Sequence, residues 1–82
     1  MTTRDQIVEI LEETLNLNGR AAGFSAGTRL LGQLPELDSM AVVSIIAALE
    51  DRFGFTVADD DIDGSVFETF GSLQAFVDAR VP

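Results

Sequence analysis

One apolar stripe constrains this chain more than any other feature. Val42, Ile45, Ile46, Leu49 and Phe53 stand at i, i+3, i+4, i+7 and i+11. That spacing gathers all five side chains on one face of an α-helix, whereas a strand would divide them between two faces. Asp38, a side chain suited to accepting the free N–H groups of a first turn, precedes the stripe. Gly54 follows it, able to take the left-handed conformation that ends helices. The pattern predicts a helix from Ser39 to Phe53 whose stripe other elements must cover. The chain has 82 residues and no cysteine, so that cover has to come from one small domain, residues 1–82, without disulfides.

The rest of the chain offers the covering elements. Thr3 to Leu17 reads as a first helix, with Thr3 and Gln6 in capping-box spacing and Ile7, Leu11, Thr14 and Leu15 at helical period, widened by Val8. Asn18-Gly19 is the expected stop. From Asn18 to Leu37 no period is visible, and Gly19, Gly23, Gly27, Gly32 and Pro35 mark a long connection. Its apolar residues, Phe24, Leu30, Leu31, Leu34 and Leu37, are expected to pin it to the core, with a short turn of helix. Phe55-Thr56-Val57 is β-prone but has no partner strand. A short helix is expected around Asp61 to Phe67. Thr69 can cap a last helix to about Ala79, with Phe70, Leu73, Phe76 and Val77 on one face. The prediction is an all-α fold. It is a four-helix bundle of three longer helices and one short one, with a long loop between the first two.

Charge and missing residue types narrow the function. Fourteen carboxylates oppose five arginines, a net charge of −9. That balance repels phosphate backbones and anionic membrane surfaces, so neither nucleic acid nor membrane is an expected partner. There is no His, Cys or Lys. No Ser–His or Cys–His nucleophile pair, no Schiff base and no zinc site of the usual ligand types can be assembled. An autonomous enzyme is therefore not expected. The N-terminus shows no signal-peptide pattern and no apolar run is long enough to span a bilayer. The expectation is a cytoplasmic monomer.

One motif stands above this background, Leu34-Pro35-Glu36-Leu37-Asp38-Ser39-Met40, directly ahead of the apolar helix. A serine in the first turn lies beside unsatisfied backbone N–H groups and the positive end of the helix dipole. Asp-Ser at a helix start is ordinarily a capping device. The same N–H groups would also favour a phosphoester on the serine.

Asp38-Ser39-Met40, the apolar stripe and Leu49-Glu50-Asp51-Arg52-Phe53-Gly54, taken with the order of helices, resemble the acyl carrier protein family over essentially the whole chain. The resemblance implies that a Mg²⁺-dependent transferase attaches 4′-phosphopantetheine from coenzyme A to Ser39. It implies that the arm's thiol holds acyl groups as thioesters for other enzymes. It gives Asp38 a part in transferase docking, beside its capping role. Met40, Val43 and Ala47 become an exposed strip that meets the arm or partner enzymes, and Glu50 and Asp51 become acidic contacts for basic patches on those enzymes. Each has a plainer alternative: core packing for the apolar residues, a solvated helix face for the acids.

Two positions that are often acidic in fatty-acid carriers are Ala41 and Ser44 here. The residues from Leu30 to Val43 most resemble carriers associated with exosortase systems. Both features point to a dedicated lipid or secondary pathway rather than general fatty acid biosynthesis. Between residues 36 and 63, eight carboxylates face Arg52 alone, −7 of the total −9, a one-sided field suited to steering basic partners.

Asp59, Asp61 and Asp63 followed by Gly64 match the first half of a calcium-binding EF-hand loop. The twelfth position, where a bidentate Glu is needed, is Phe70. No structural metal is expected, although crowded carboxylates there could bind divalent ions weakly. A calcium-binding or interaction module using this cluster, and a carrier of aminoacyl or peptidyl groups, are the alternative functions.

Overall fold

The structure is a computed structural model that describes residues 2–58, 62 and 64–81. Among the described residues it contains three α-helices: α1, Thr3–Leu15; α2, Ser39–Phe53; and α3, Phe70–Asp78. Two 3-10 helices among the described residues, Arg20–Gly23 and Gly64–Phe67, lie in the connections. Among the described residues there are no strands, only an isolated antiparallel bridge between Arg29 and Thr69. The all-α expectation holds. The short fourth helix of the expected bundle is not confirmed. Asp61 and Asp63 lie outside the described residues, and what is described at that place is a single 3-10 turn.

The first helix starts at Thr3 as expected but is capped one residue earlier and stops two residues sooner than its period suggests. Thr2 is the N-cap: its hydroxyl accepts from the Asp5 amide at 3.1 Å, and Asp5 reaches back to the Thr2 amide. The capping box is thus Thr2–Asp5, one residue before the expected Thr3–Gln6, with an acid placed in the first turn where the dipole favours it. At the other end the cap is Asn16, left-handed at φ 55°; Asn18 and Gly19, the expected stop, are left-handed too but lie beyond the helix end. Asn tolerates this conformation because its short amide can bond locally. Glu12 then holds the chain that follows, accepting from the amides of Gly19 and Ala21, both at 2.6 Å.

The core is built from three helical faces and the long connection. Ile7, Leu11 and Leu15 of α1, Ile45 and Leu49 of α2, and Phe70, Leu73 and Val77 of α3 are buried. α1 packs against both other α-helices. Ile10, Leu17 and Ala21, which no periodic pattern marked, are buried as well. In the connection Leu30 and Leu37 are buried, while Leu31 stays 42% exposed. Backbone hydrogen bonds fasten this connection to the start of α3: Leu30 and Leu31 donate to Glu68 and Phe67, and Phe70 and Gly71 donate to Thr28 and Ala26. Thr69 caps α3 in a reciprocal box with Ser72. Phe55-Thr56-Val57 forms no strand; Phe55 stacks on Phe53, centroids 6.1 Å apart.

Candidate functional site

Ser39 is the first residue of α2 and is exposed to solvent. Asp38 ahead of it closes the helix. Its Oδ1 accepts from the Ala41 amide at 2.8 Å, and its carbonyl accepts from the Val42 amide at 3.0 Å. The Ser39 and Met40 amides belong to the same first turn, where backbone donors have no carbonyl of the helix to meet. The serine hydroxyl therefore stands at a helix end rich in unspent N–H groups.

Beside it lies a cavity of about 480 Å³ lined by Leu31, Asp38, Ser39, Val42, Ile62, Gly64 and Phe67. Its walls are mostly aliphatic and aromatic, with Asp38 and Ser39 at the polar rim. The wall residues come from the long connection, α2 with its cap Asp38, Ile62, and the 3-10 turn before α3. Gly64 shows why sequence spacing missed this: it reads as the glycine of an acidic loop, yet it faces Leu31, whose Cδ2 would be 4.0 Å from a Cβ at that position. Leu31, Ile62 and Phe67 carried no sequence signal beyond hydrophobicity.

The outer face of α2 carries an apolar strip. Met40 is 74% exposed and Val43 61%; Ala47 and Ser44 are exposed as well, while Ala41 is half-buried. The two acids further along behave differently from each other. Asp51 is exposed, whereas Glu50 is half-buried and accepts from the Val57 amide at 2.7 Å, securing the turn that leaves α2. Asp59, Asp61 and Asp63 lie outside the described residues. Among the described residues no group of three potential ligands converges on a metal position.

Three residues before Ser39 in the chain, Glu36 pairs with Arg20. The amide of Glu36 and then the Arg20 guanidinium hold the Glu36 carboxyl below its ordinary range. Glu36 Oε1 itself is shielded from solvent.

An exposed serine at a helix N-terminus, with a mostly apolar cavity alongside, fits a phosphate ester carrying a flexible arm: N–H groups for the phosphate, aliphatic walls for the chain. Comparison with known proteins agrees. A family model described as "Phosphopantetheine attachment site" matches residues 5–79. The acyl carrier protein MbtL of Mycobacterium sp. (strain MCS) is 32% identical over 76 residues, covering 93% of this chain and 80% of that protein. The solution NMR structure of the holo acyl carrier protein NE2163 from Nitrosomonas europaea superposes with a TM-score of 0.87 at 48% identity, covering 96% of this chain and 95% of that one. The chain belongs to the acyl carrier protein family, a carrier that bears a 4′-phosphopantetheine group and not an enzyme.

Proposed function

We propose that Ser39 is the attachment residue and that the chain carries thioester-linked groups between enzymes of a dedicated lipid or secondary pathway in the cytoplasm. The observation that carries this reading is the placement of Ser39: exposed, first in α2, beside the cavity. In the loading reaction Ser39 Oγ forms a bond to phosphorus as the pyrophosphate bond of coenzyme A breaks. Adenosine 3′,5′-bisphosphate leaves, and the hydroxyl proton passes to a base of the transferase. The chain itself has no His or Lys to take that proton, which fits a substrate of the transferase. Once bound, the arm supplies the thiol that the chain lacks.

The remaining residues divide the work. Asp38 holds the first turn and presents its charge beside the serine. Met40, Val43 and Ala47 form the apolar strip on which partner enzymes settle, and Asp51 supplies an acid at its far end for a basic patch. Glu50, already holding Val57, adds its charge to the same end. Ala41 and Ser44 between them leave the surface beside Ser39 neutral rather than acidic, which supports partners other than those of general fatty acid synthesis.

Peptide mapping tests the assignment. After loading with a broad-specificity transferase, coenzyme A and Mg²⁺, cleavage after Arg29 and Arg52 yields one peptide holding both Ser39 and Ser44. Fragmentation is expected to place the phosphopantetheine on Ser39. Placement on Ser44 would contradict the assignment.

A further inference from the structure

We propose that the Arg20–Glu36 pair is a positioning latch for Ser39, setting the geometry in which the serine is loaded. The proposal rests on the reading of Ser39 as the attachment residue and extends it to two side chains outside the site. The physical path is continuous. Glu12, within α1, accepts from the amides of Gly19 and Ala21, so the residue between them, Arg20, is carried on backbone anchored to a core helix. Arg20 also folds its Nε onto the Leu17 carbonyl at 3.2 Å, which leaves the other side of the guanidinium to meet Glu36. Glu36 is followed by Leu37, which is 5% exposed, then by Asp38, the cap, and Ser39. The pair thus joins the start of the long connection to its end, two residues before the cap.

The neighbouring contacts show why a tie is needed there. Residues 26–31 are fastened to the start of α3 by four backbone hydrogen bonds. From Gly32, which has φ 88°, to Leu37 the backbone bonds are local turns: Gln33 and Leu34 donate to Leu30, and Leu37 donates to Leu34. Those turns shape the segment without fixing where it sits relative to α1. Burial of Leu37 and the Arg20–Glu36 pair supply that. Opening the pair frees Glu36 to swing, loosens the Asp38 cap and spreads Ser39 over more orientations. An exposed pair of this kind biases a local equilibrium by about two- to fivefold, so loading should change by a similar factor. The change belongs in kcat, because it concerns how often the hydroxyl is aligned once the carrier is docked.

The test is loading kinetics of the full chain with a broad-specificity transferase, coenzyme A and Mg²⁺, together with amide hydrogen exchange at Ala41. Arg20→Ala and Glu36→Ala are each expected to lower kcat about two- to fivefold with KM unchanged and to speed exchange at Ala41. The double variant should be no slower than either single one. The swapped pair, Arg20→Glu with Glu36→Arg, should recover at least half of the loss. A KM effect alone, additive losses or no recovery in the swap would overturn the latch. If the unaltered chain is not loaded at all, the assignment of Ser39 fails instead, whatever the exchange rates show.

Discussion

The Asp38 carboxylate accepts a hydrogen bond from the Ala41 amide at 2.8 Å, so the residue ahead of Ser39, the proposed attachment site, is committed to holding the turn on which that serine stands. Removing the side chain in Asp38→Ala is expected to cost about 1 kcal/mol of stability in urea unfolding. Asp38→Asn keeps an acceptor at the same place, and its stability should stay within about 0.5 kcal/mol of the parent. Our reading gives the carboxylate charge a separate part in transferase docking. Asp38→Asn should therefore raise the KM for loading although the helix remains capped.

A methyl group has no room at Gly71. A Cβ there would lie 2.7 Å from the Ala26 carbonyl oxygen, the same oxygen that accepts from the Gly71 amide at 2.9 Å. Replacing helical glycine by alanine ordinarily gains up to about 1 kcal/mol. Here the sign reverses: Gly71→Ala is expected to lose about 1–3 kcal/mol, because backbone must move and the connection is pushed off α3. Gly23→Ala, with open space around it and no positive φ, is the control and should be neutral or slightly stabilising.

Glu36 gives a pH dependence of defined sign. Its carboxyl titrates below the ordinary value of 4.5 in the folded chain, held there by its own amide and by Arg20. A group with a lowered folded pKa stabilises fully above its unfolded pKa and loses that contribution as pH falls through the folded one. The Tm of the parent should exceed that of Glu36→Gln at neutral pH. The gap should begin to close below about pH 4.5 and vanish once the folded carboxyl is protonated. A gap independent of pH would show that the side chain stabilises through packing and not through charge.

Much of the fold is legible because helical period and burial report the same physics. The α2 stripe, with Asp38 and Gly54 at its ends, is found as expected, and so is the Thr69 cap of α3. The ends of α1 were less legible. Thr2 with Asp5 and Thr3 with Gln6 are equally plausible boxes by spacing, and the choice between two asparagines for the stop depended on Glu12 reaching the amides beyond. The short fourth helix is not confirmed: of its expected span only residues 62 and 64–67 are described, and Gly64–Phe67 form a 3-10 turn that buries Val66 and Phe67. Within the site, Ser39 and its cap were visible as a motif in one stretch of chain. The cavity was not, since Leu31, Val42, Gly64 and Phe67 are brought together only by tertiary packing. Glu50 reads as a free surface acid until its bond to Val57 is seen.

The central claim is that this chain's chemistry is attached at one serine. Intact-mass measurement after incubation with coenzyme A, Mg²⁺ and a broad-specificity phosphopantetheinyl transferase tests it most directly. The account predicts a gain of one phosphopantetheine in the unaltered chain and none in Ser39→Ala. An unchanged mass for the parent, or the same gain in Ser39→Ala, would contradict it.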